Sequence, residues 1–176
     1  MKIVGMVPAR LESTRLGEKA LIDIEGLPMV IHTCKRSQLA RTLSDLYLVT
    51  DNILIKKAAE LNNINCIMTG EHISSSDRLA EACRNVECDV VVNIQGDEPG
   101  ISPLQIDRIC SLFNNNMVDI GTLVKEFTNP SEINDQNKVK VIFNDKNKAL
   151  NFSRKIIINE SLNIYYKHIG IYAYRL

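Results

Sequence analysis

The sequence predicts an α/β protein with a mostly parallel central sheet, helices on both faces and an antiparallel extension toward the C-terminus. Three observations carry that prediction. Through the first two thirds of the chain, short apolar runs alternate with helix-length amphipathic segments, a βαβαβαβ rhythm. The runs are nearly continuous in apolar residues, as in strands covered on both faces. Past Asn115 the helical segments thin out and strand-like runs follow one another directly.

Each element has its own local reason. "KIVGMV" (2–7) is an apolar run bounded by Pro8 and reads as the first strand. "PMVIHTCKRSQLA" (28–40) reads as a helix with Pro28 in its first turn, where a missing N–H costs nothing. "DLYLVT" (45–50) is a second strand. "NILIKKAAELN" (52–62) is a helix that Asn52 caps. "NCIMT" (65–69) is a third strand, and "SSSDRLAEACRNV" (74–86) a helix with Ser74 and Asp77 at capping-box spacing. "DVVVNIQ" (89–95) is the most apolar strand and is expected at the centre of the sheet, followed by a helix over 102–115. Strands are then expected at 119–127, 137–145, 149–153 and 167–175, with "NDKNK" (144–148) a hairpin turn. No internal repeat, low-complexity tract or linker divides the chain, so one domain over 1–176 is expected.

Composition narrows the function. Hydrophobic residues make up 45% and charged residues 24%, ordinary for a globular domain. Lys plus Arg (21) balances Asp plus Glu (21), so no global basic surface argues for nucleic acid, and any anion site must be local. Five scattered cysteines form no CxxC pair, which fits free thiols in a reducing cytosol. Lys2 followed by "IVGMVPA" loosely mimics an export signal, but Pro8 interrupts it and Arg10 follows at once. No apolar segment approaches the ~18 residues of a membrane span.

Right-handed crossovers bring the carboxyl ends of parallel strands to one edge, where open α/β sheets bind ligands. The loop after the first strand, "PARLESTRLGEK", crowds Arg10, Arg15 and Lys19 onto that edge. Arg bridges phosphate oxygens with paired N–H groups and Lys supplies a compact charge, while Ser13, Thr14 and Gly17 let backbone N–H groups approach. The loop is neither a Walker A nor a GxGxxG motif, and on spacing alone a solvated loop with incidental cations is the simpler reading. "NIQGDEP" (93–99) brings Asp97 and Glu98 to the same edge, as a Mg²⁺ site beside phosphates or as a plain β-turn. A basic loop and a carboxylate on one edge together favour a metal–nucleotide site. In "HISSSDRL" (72–79), hydroxyls and a helix N-terminus suit a nucleotide, Arg78 suits a phosphate, and a simple helix cap is the competing reading. His168 alternates with Ile169 and Ile171 and is expected to point away from their face.

"VPARLESTRLGEKAL" with "GLPMV", "HISSSDRLAE", "VVNIQGDEP", "NKVKVIFN", "ALNFSR" and "HIGIYAYR" together resemble the sugar-acid cytidylyltransferases, most closely those of the 3-deoxy-manno-octulosonate (Kdo) type. The motifs occur in the family's order and cover essentially the whole chain. The resemblance implies a Rossmann-like nucleotide-diphospho-sugar transferase fold. It implies CMP transfer from CTP to a 2-keto-3-deoxy sugar acid with release of pyrophosphate, serving lipopolysaccharide or surface polysaccharide synthesis. It further implies Mg²⁺ as cofactor, a cytoplasmic homodimer, and no nucleic-acid partner.

Carried over by position, Arg10, Arg15, Lys19 and Asp97 would be catalytic. Ala9, Arg10, Ser13, Arg15, Lys19, Ser74 and Arg78 would hold the nucleotide. Gln95, Arg154, His168 and Tyr172 would contact the sugar acid, Arg154 taking its carboxylate, and Asp97 would bind the metal. An acylneuraminate-type acceptor, or a non-catalytic nucleotide-binding or dimerisation module, are the alternatives. Three departures stand out: Ser75 where the family usually has Gly, Glu18 where it has Gly before the lysine, and no proline shortly after "FSR". Family members run on past the position of Leu176 into a segment with a second metal-binding Asp, which the sequence as written is expected to lack.

Overall fold

The apolar runs of the sequence become strands with buried side chains, and the amphipathic segments between them become helices. The structure, a computed structural model, describes residues 1–11, 17–156 and 165–176. In chain order the main elements are β1 (Ile3–Pro8), β2 (Asp23–Ile24), β3 (Leu27–Pro28), α1 (Met29–Ser37), β4 (Asp45–Thr50), α2 (Ile53–Leu61), β5 (Asn65–Met68), α3 (Ser75–Cys83), β6 (Val90–Asn93) and α4 (Pro103–Ser111). They are followed by β7 (Ile120–Glu126), β8 (Lys140–Phe143), β9 (Ala149–Ser153) and β10 (Tyr166–Arg175). The chain divides into two compact units, residues 1–121 with 171–176, and residues 122–170.

In the first unit the parallel strands lie in the order β5-β4-β1-β6. The chain winds outward from β1 to β4 and β5, then returns to the other side of β1 to add β6. Strand order therefore reverses between β1 and β6, and the crevice outside the carboxyl ends of those two strands is the switch point where such sheets take ligands. Residues 172–175 of β10 pair antiparallel with β6, so β6 is flanked on both sides and all four of its residues are buried, as its apolar run predicts.

One face of this sheet carries Val4, Met6, Val49 and Val91 against Leu79 and Ala82 of α3. Alternation along β1 turns Ile3 and Val7 to the opposite face, which α1 covers with α4 beside it. Asn52 caps α2, its side-chain oxygen accepting from the N–H groups of Leu54 (2.8 Å) and Ile55 (3.3 Å).

In the second unit β8 pairs antiparallel with β9 and with Tyr166 and Lys167 of β10, and β7 lies along β10. The β8–β9 turn is the expected one. Asn144 Oδ1 accepts from the N–H groups of Lys146 and Lys148, and Asn147 takes a left-handed φ of 58°.

Three helices are shorter than their apolar pattern suggests. The segment expected at 28–40 is helical only over Met29–Ser37, with Pro28 at the N-cap position, where it ends β3. The segment expected at 74–86 is helical over Ser75–Cys83, and that at 102–115 tightens after Ser111 into a 3₁₀ turn over Leu112–Asn114. The two-residue strands β2 and β3 were not expected. Their hairpin turns on Glu25 (φ 50°) and Gly26 (φ 87°), and Asp23 Oδ1 accepts from Gly26 N–H at 3.0 Å.

Candidate functional site

At the switch point the structure joins the two loops that the sequence nominated separately. Lys19 follows β1 and Asp97 follows β6. Lys19 Nζ lies 2.7 Å from Asp97 Oδ2, an ion pair between side chains 78 positions apart, both well exposed. The backbone makes this possible. A Cβ on Gly96 would stand 2.8 Å from the carbonyl oxygen of Pro8, so only glycine lets the tip of β6 pass this close to the end of β1. Thr33 Oγ1 donates to Gly96 O (3.2 Å), and Glu98 N–H closes a turn onto Gln95 O (3.2 Å), which fixes the direction in which Asp97 projects. Burial, reinforced by the Asp97 charge, pushes the Glu98 carboxyl up from its ordinary range.

Ala9 is buried and its N–H donates to Val49 O at 2.9 Å, anchoring the start of the basic loop. Arg10 is exposed beside it. Ser13 and Arg15 lie outside the described residues. Glu18, where the family usually has Gly, takes a left-handed φ of 53° immediately before Lys19. That conformation is free to Gly and costly to a residue with a Cβ.

A second group of polar residues gathers at the ends of β4 and β5 and the start of α3. Ser74 is the N-cap of α3: its Oγ accepts from Asp77 N–H (3.1 Å) and donates to Asp77 Oδ2 (2.6 Å). Half of the expected capping box is therefore present, with the acid bonded to the serine hydroxyl instead of its backbone N–H. Ser75 is the first helical residue, a place that accepts a side chain without strain. Arg78 is only 3% exposed. Its guanidinium is committed to Asp51 Oδ2 (2.5 Å) and Thr69 Oγ1 (2.9 Å). Beside it Glu81 accepts from Gly70 N–H, and His72 Nε2 lies 2.5 Å from its Oε2. The His72 contact, more than the backbone bond, holds the Glu81 carboxyl below its ordinary range.

The four residues expected to meet a sugar acid divide between the units. Gln95 and Tyr172 belong to the first, where Tyr172 stacks on Tyr174 with ring centroids 6.2 Å apart, and burial raises its phenol pKa. Arg154 and His168 belong to the second. Arg154 is exposed at the end of β9, with Nη1 donating to Gln136 O (3.2 Å). His168 Nε2 lies 2.8 Å from Thr122 Oγ1, and its ring meets the Phe152 ring edge-on at 5.4 Å.

The donor set suits Mg²⁺ that arrives with a nucleotide. Among the described residues no three metal-ligating side chains cluster. Asp97 offers hard carboxylate oxygens at an exposed loop tip, and Mg²⁺ characteristically uses one or two carboxylates and completes its octahedron with phosphate oxygens and water. Three residues escaped sequence reasoning. Asp51 had an available signal, since it follows the β4 strand at the ligand-binding edge. Lys140, buried to 1% exposure, and Asn93, whose buried Oδ1 has no hydrogen-bond partner among the described residues, had none.

An open α/β sheet with a cation and a carboxylate paired at its switch point is the architecture of a nucleotidyltransferase. The chain belongs to the cytidylyltransferase family, whose model matches residues 4–176. It is 38% identical to a 3-deoxy-manno-octulosonate cytidylyltransferase of Flavobacterium johnsoniae, with 99% of this chain and 75% of the relative aligned. It is 39% identical, over the same shares, to an 8-amino-3,8-dideoxy-manno-octulosonate cytidylyltransferase of Shewanella pealeana. Among solved structures it superposes on a CMP:2-keto-3-deoxy-manno-octonic acid synthetase complexed with CTP, with a TM-score of 0.94 and 35% identity, covering 99% of this chain and 74% of that one. The expected fold class is the one observed. No described helix is long and apolar enough to cross a membrane.

Proposed function

We propose that this chain transfers CMP from CTP to a 2-keto-3-deoxy sugar acid of the Kdo type and releases pyrophosphate. The observation that carries the reading is the Lys19–Asp97 pair at the β1/β6 switch point, in a chain of this family. The anomeric hydroxyl oxygen of the acceptor forms a bond to the α-phosphorus, the bond to the bridging β-phosphate oxygen breaks, and the hydroxyl proton is lost. Such a reaction needs positioning and charge neutralisation more than covalent help from the protein.

Lys19, with Arg10 and Arg15, supplies the cations for the triphosphate. An ammonium has three N–H donors, so Lys19 can keep one on Asp97 while turning others to phosphate oxygens. Asp97 is the residue to hold Mg²⁺, which when bound neutralises the phosphates and acidifies the attacking hydroxyl. Ser74 and its helix N-terminus serve the nucleotide. Arg78 contributes through Asp51 and Thr69, to which its guanidinium is already bound. Arg154 is suited to the acceptor carboxylate by its paired N–H geometry, with Gln95, His168 and Tyr172 as further acceptor contacts.

Relatives acting on Kdo and on its 8-amino analogue match this chain equally well, so the C8 substituent is the open part of the acceptor. The same reading makes the protein a cytoplasmic homodimer that supplies lipopolysaccharide or surface polysaccharide assembly. Five free cysteines suit that compartment. The test is pyrophosphate release with CTP and Mg²⁺, run with Kdo, 8-amino-Kdo and N-acetylneuraminate as acceptors. Turnover with either octulosonate and not with neuraminate is expected. CTP binding without turnover on any of the three would make the protein a nucleotide-binding module instead.

A further inference from the structure

Lys140 is buried to 1% exposure in the second unit, and among the described residues no carboxylate lies within ion-pair distance of it. Its ammonium spends its three protons on three main-chain carbonyls: Asp135 O at 2.6 Å, Lys138 O at 2.8 Å and Arg154 O at 3.0 Å. An ammonium removed from water is tolerated only when its donors are all used, and a Met of similar length would fill the same space without that demand. What the charge adds is direction. It gathers a turn (135–138) and the end of β9 around one point.

Arg154 closes the arrangement. Its carbonyl binds Lys140, and its Nη1 donates to Gln136 O at 3.2 Å, within the same turn. Both the main chain and the guanidinium of Arg154 are therefore referred to a turn that Lys140 holds at two carbonyls. Those carbonyls face inward to the ammonium, so they do not oppose an anion approaching Arg154. Neighbouring charges favour an anion as well. Glu132 is shared between Lys138 (2.7 Å) and Lys167 (3.6 Å), and Asp135 Oδ1 accepts from Asn137 N–H. Among the described residues of this cluster, Lys138, Lys140, Arg154 and Lys167 outnumber the carboxylates Glu132 and Asp135.

We propose that Lys140 is the positioning residue for Arg154, fixing the turn and strand end that present its guanidinium to the carboxylate of the acceptor. The proposal rests on the reading that Arg154 takes that carboxylate. The experiment measures steady-state pyrophosphate release by the full chain and by K140M, K140R and R154M, with Kdo and with the carboxamide of Kdo as acceptors. K140M is expected to raise the KM for Kdo by ~10-fold or more, leave the KM for CTP within about twofold, and erode the preference for acid over amide. K140R keeps the charge and should retain part of that preference.

A K140M variant in which kcat and both KM values change alike, or in which acid and amide lose equally, makes Lys140 a structural residue and overturns the proposal. Loss of the fold in both Lys140 variants does the same. R154M separates the two levels. If it leaves the KM for Kdo unchanged, the carboxylate reading falls and takes the proposal with it. If it raises that KM while K140M does not, only the role of Lys140 falls.

Discussion

Two aspartates in this molecule sit at the carboxyl ends of parallel strands, each bound to a cation at nearly the same distance, and they are built for opposite purposes. Asp51 Oδ2 meets Arg78 at 2.5 Å with the guanidinium 3% exposed, whereas Asp97 Oδ2 meets Lys19 at 2.7 Å with the two side chains 51% and 39% exposed. The buried pair is held further by Thr69 and cannot be exchanged without leaving a charge stranded away from water. The exposed pair is screened and worth little to the fold, so either partner can be turned to a ligand at small cost. Both pairs stand at the same edge of the sheet, and burial is what separates them: one is fixed in place and the other is open to exchange.

The largest expected effect tests the fixed pair. Arg78→Met leaves the Asp51 carboxylate without its partner and should cost about 3–5 kcal/mol of stability, read as a lowered urea midpoint. The double variant R78M/D51L, which removes both charges, should recover most of that loss. If the single variant costs under about 1 kcal/mol, the pair is no more than a surface contact and the contrast drawn above fails.

The exposed pair should give the reverse pattern. Asp97→Asn and Lys19→Met are each expected to lower kcat/KM on the order of 10²–10³-fold, the size of removing one charge-stabilising group. Both should leave the unfolding free energy within about 0.5 kcal/mol of wild type. Mn²⁺ binding in the presence of CTP, followed by electron paramagnetic resonance, should weaken in D97N and not in R78M. Equal losses of stability in D97N and R78M would erase the distinction.

How much of this was legible without coordinates follows the same division. The strands of the first unit announced themselves because parallel strands covered on both faces are apolar throughout, and β6 ("VVVN"), buried at every residue, lies between β1 and β10 as its composition demands. Lys19 and Asp97 were legible as loop residues after strands, since topology alone sends both loops to one edge. Their direct contact was not, because it depends on Gly96 passing within reach of Pro8 O, a tertiary fact with no local signature. The β2–β3 hairpin escaped for a different reason: two-residue strands have no periodicity, although "EG" is a turn pair of the right kind.

Arg78 illustrates the limit most clearly. A cation beside a helix N-terminus reads as a phosphate ligand, and nothing local shows that Asp51, 27 residues earlier, already binds it. Lys140 is the mirror case. In "KVKVIF" alternation places Lys138 and Lys140 alike, and nothing local says that one reaches Glu132 near the surface while the other is buried among carbonyls.

His168 lies between the two extremes, half-buried and beside a hydroxyl, and supplies the smallest effect. Burial pushes its pKa below the ordinary 6.5, so the folded chain favours the neutral ring that faces Thr122 Oγ1 and Phe152. The unfolded chain takes up its proton near 6.5. Between that value and the lower folded one, the unfolded state holds more protons, and stability must rise with pH across the window. The contribution is complete above 6.5 and is lost as pH falls through the folded value. Glu132 acts elsewhere on the scale: the hydrogen bond from Lys138 holds its carboxyl below 4.5, so its share disappears only in more acidic solution. Urea midpoints measured from pH 7.5 down to pH 5.5, both within ~1 unit of the ordinary imidazole value, should therefore decline in the wild type and stay flatter in His168→Gln. Parallel declines in the two proteins would show that this ring titrates in the fold as it does in water, and that its contact with Thr122 does not select the neutral form.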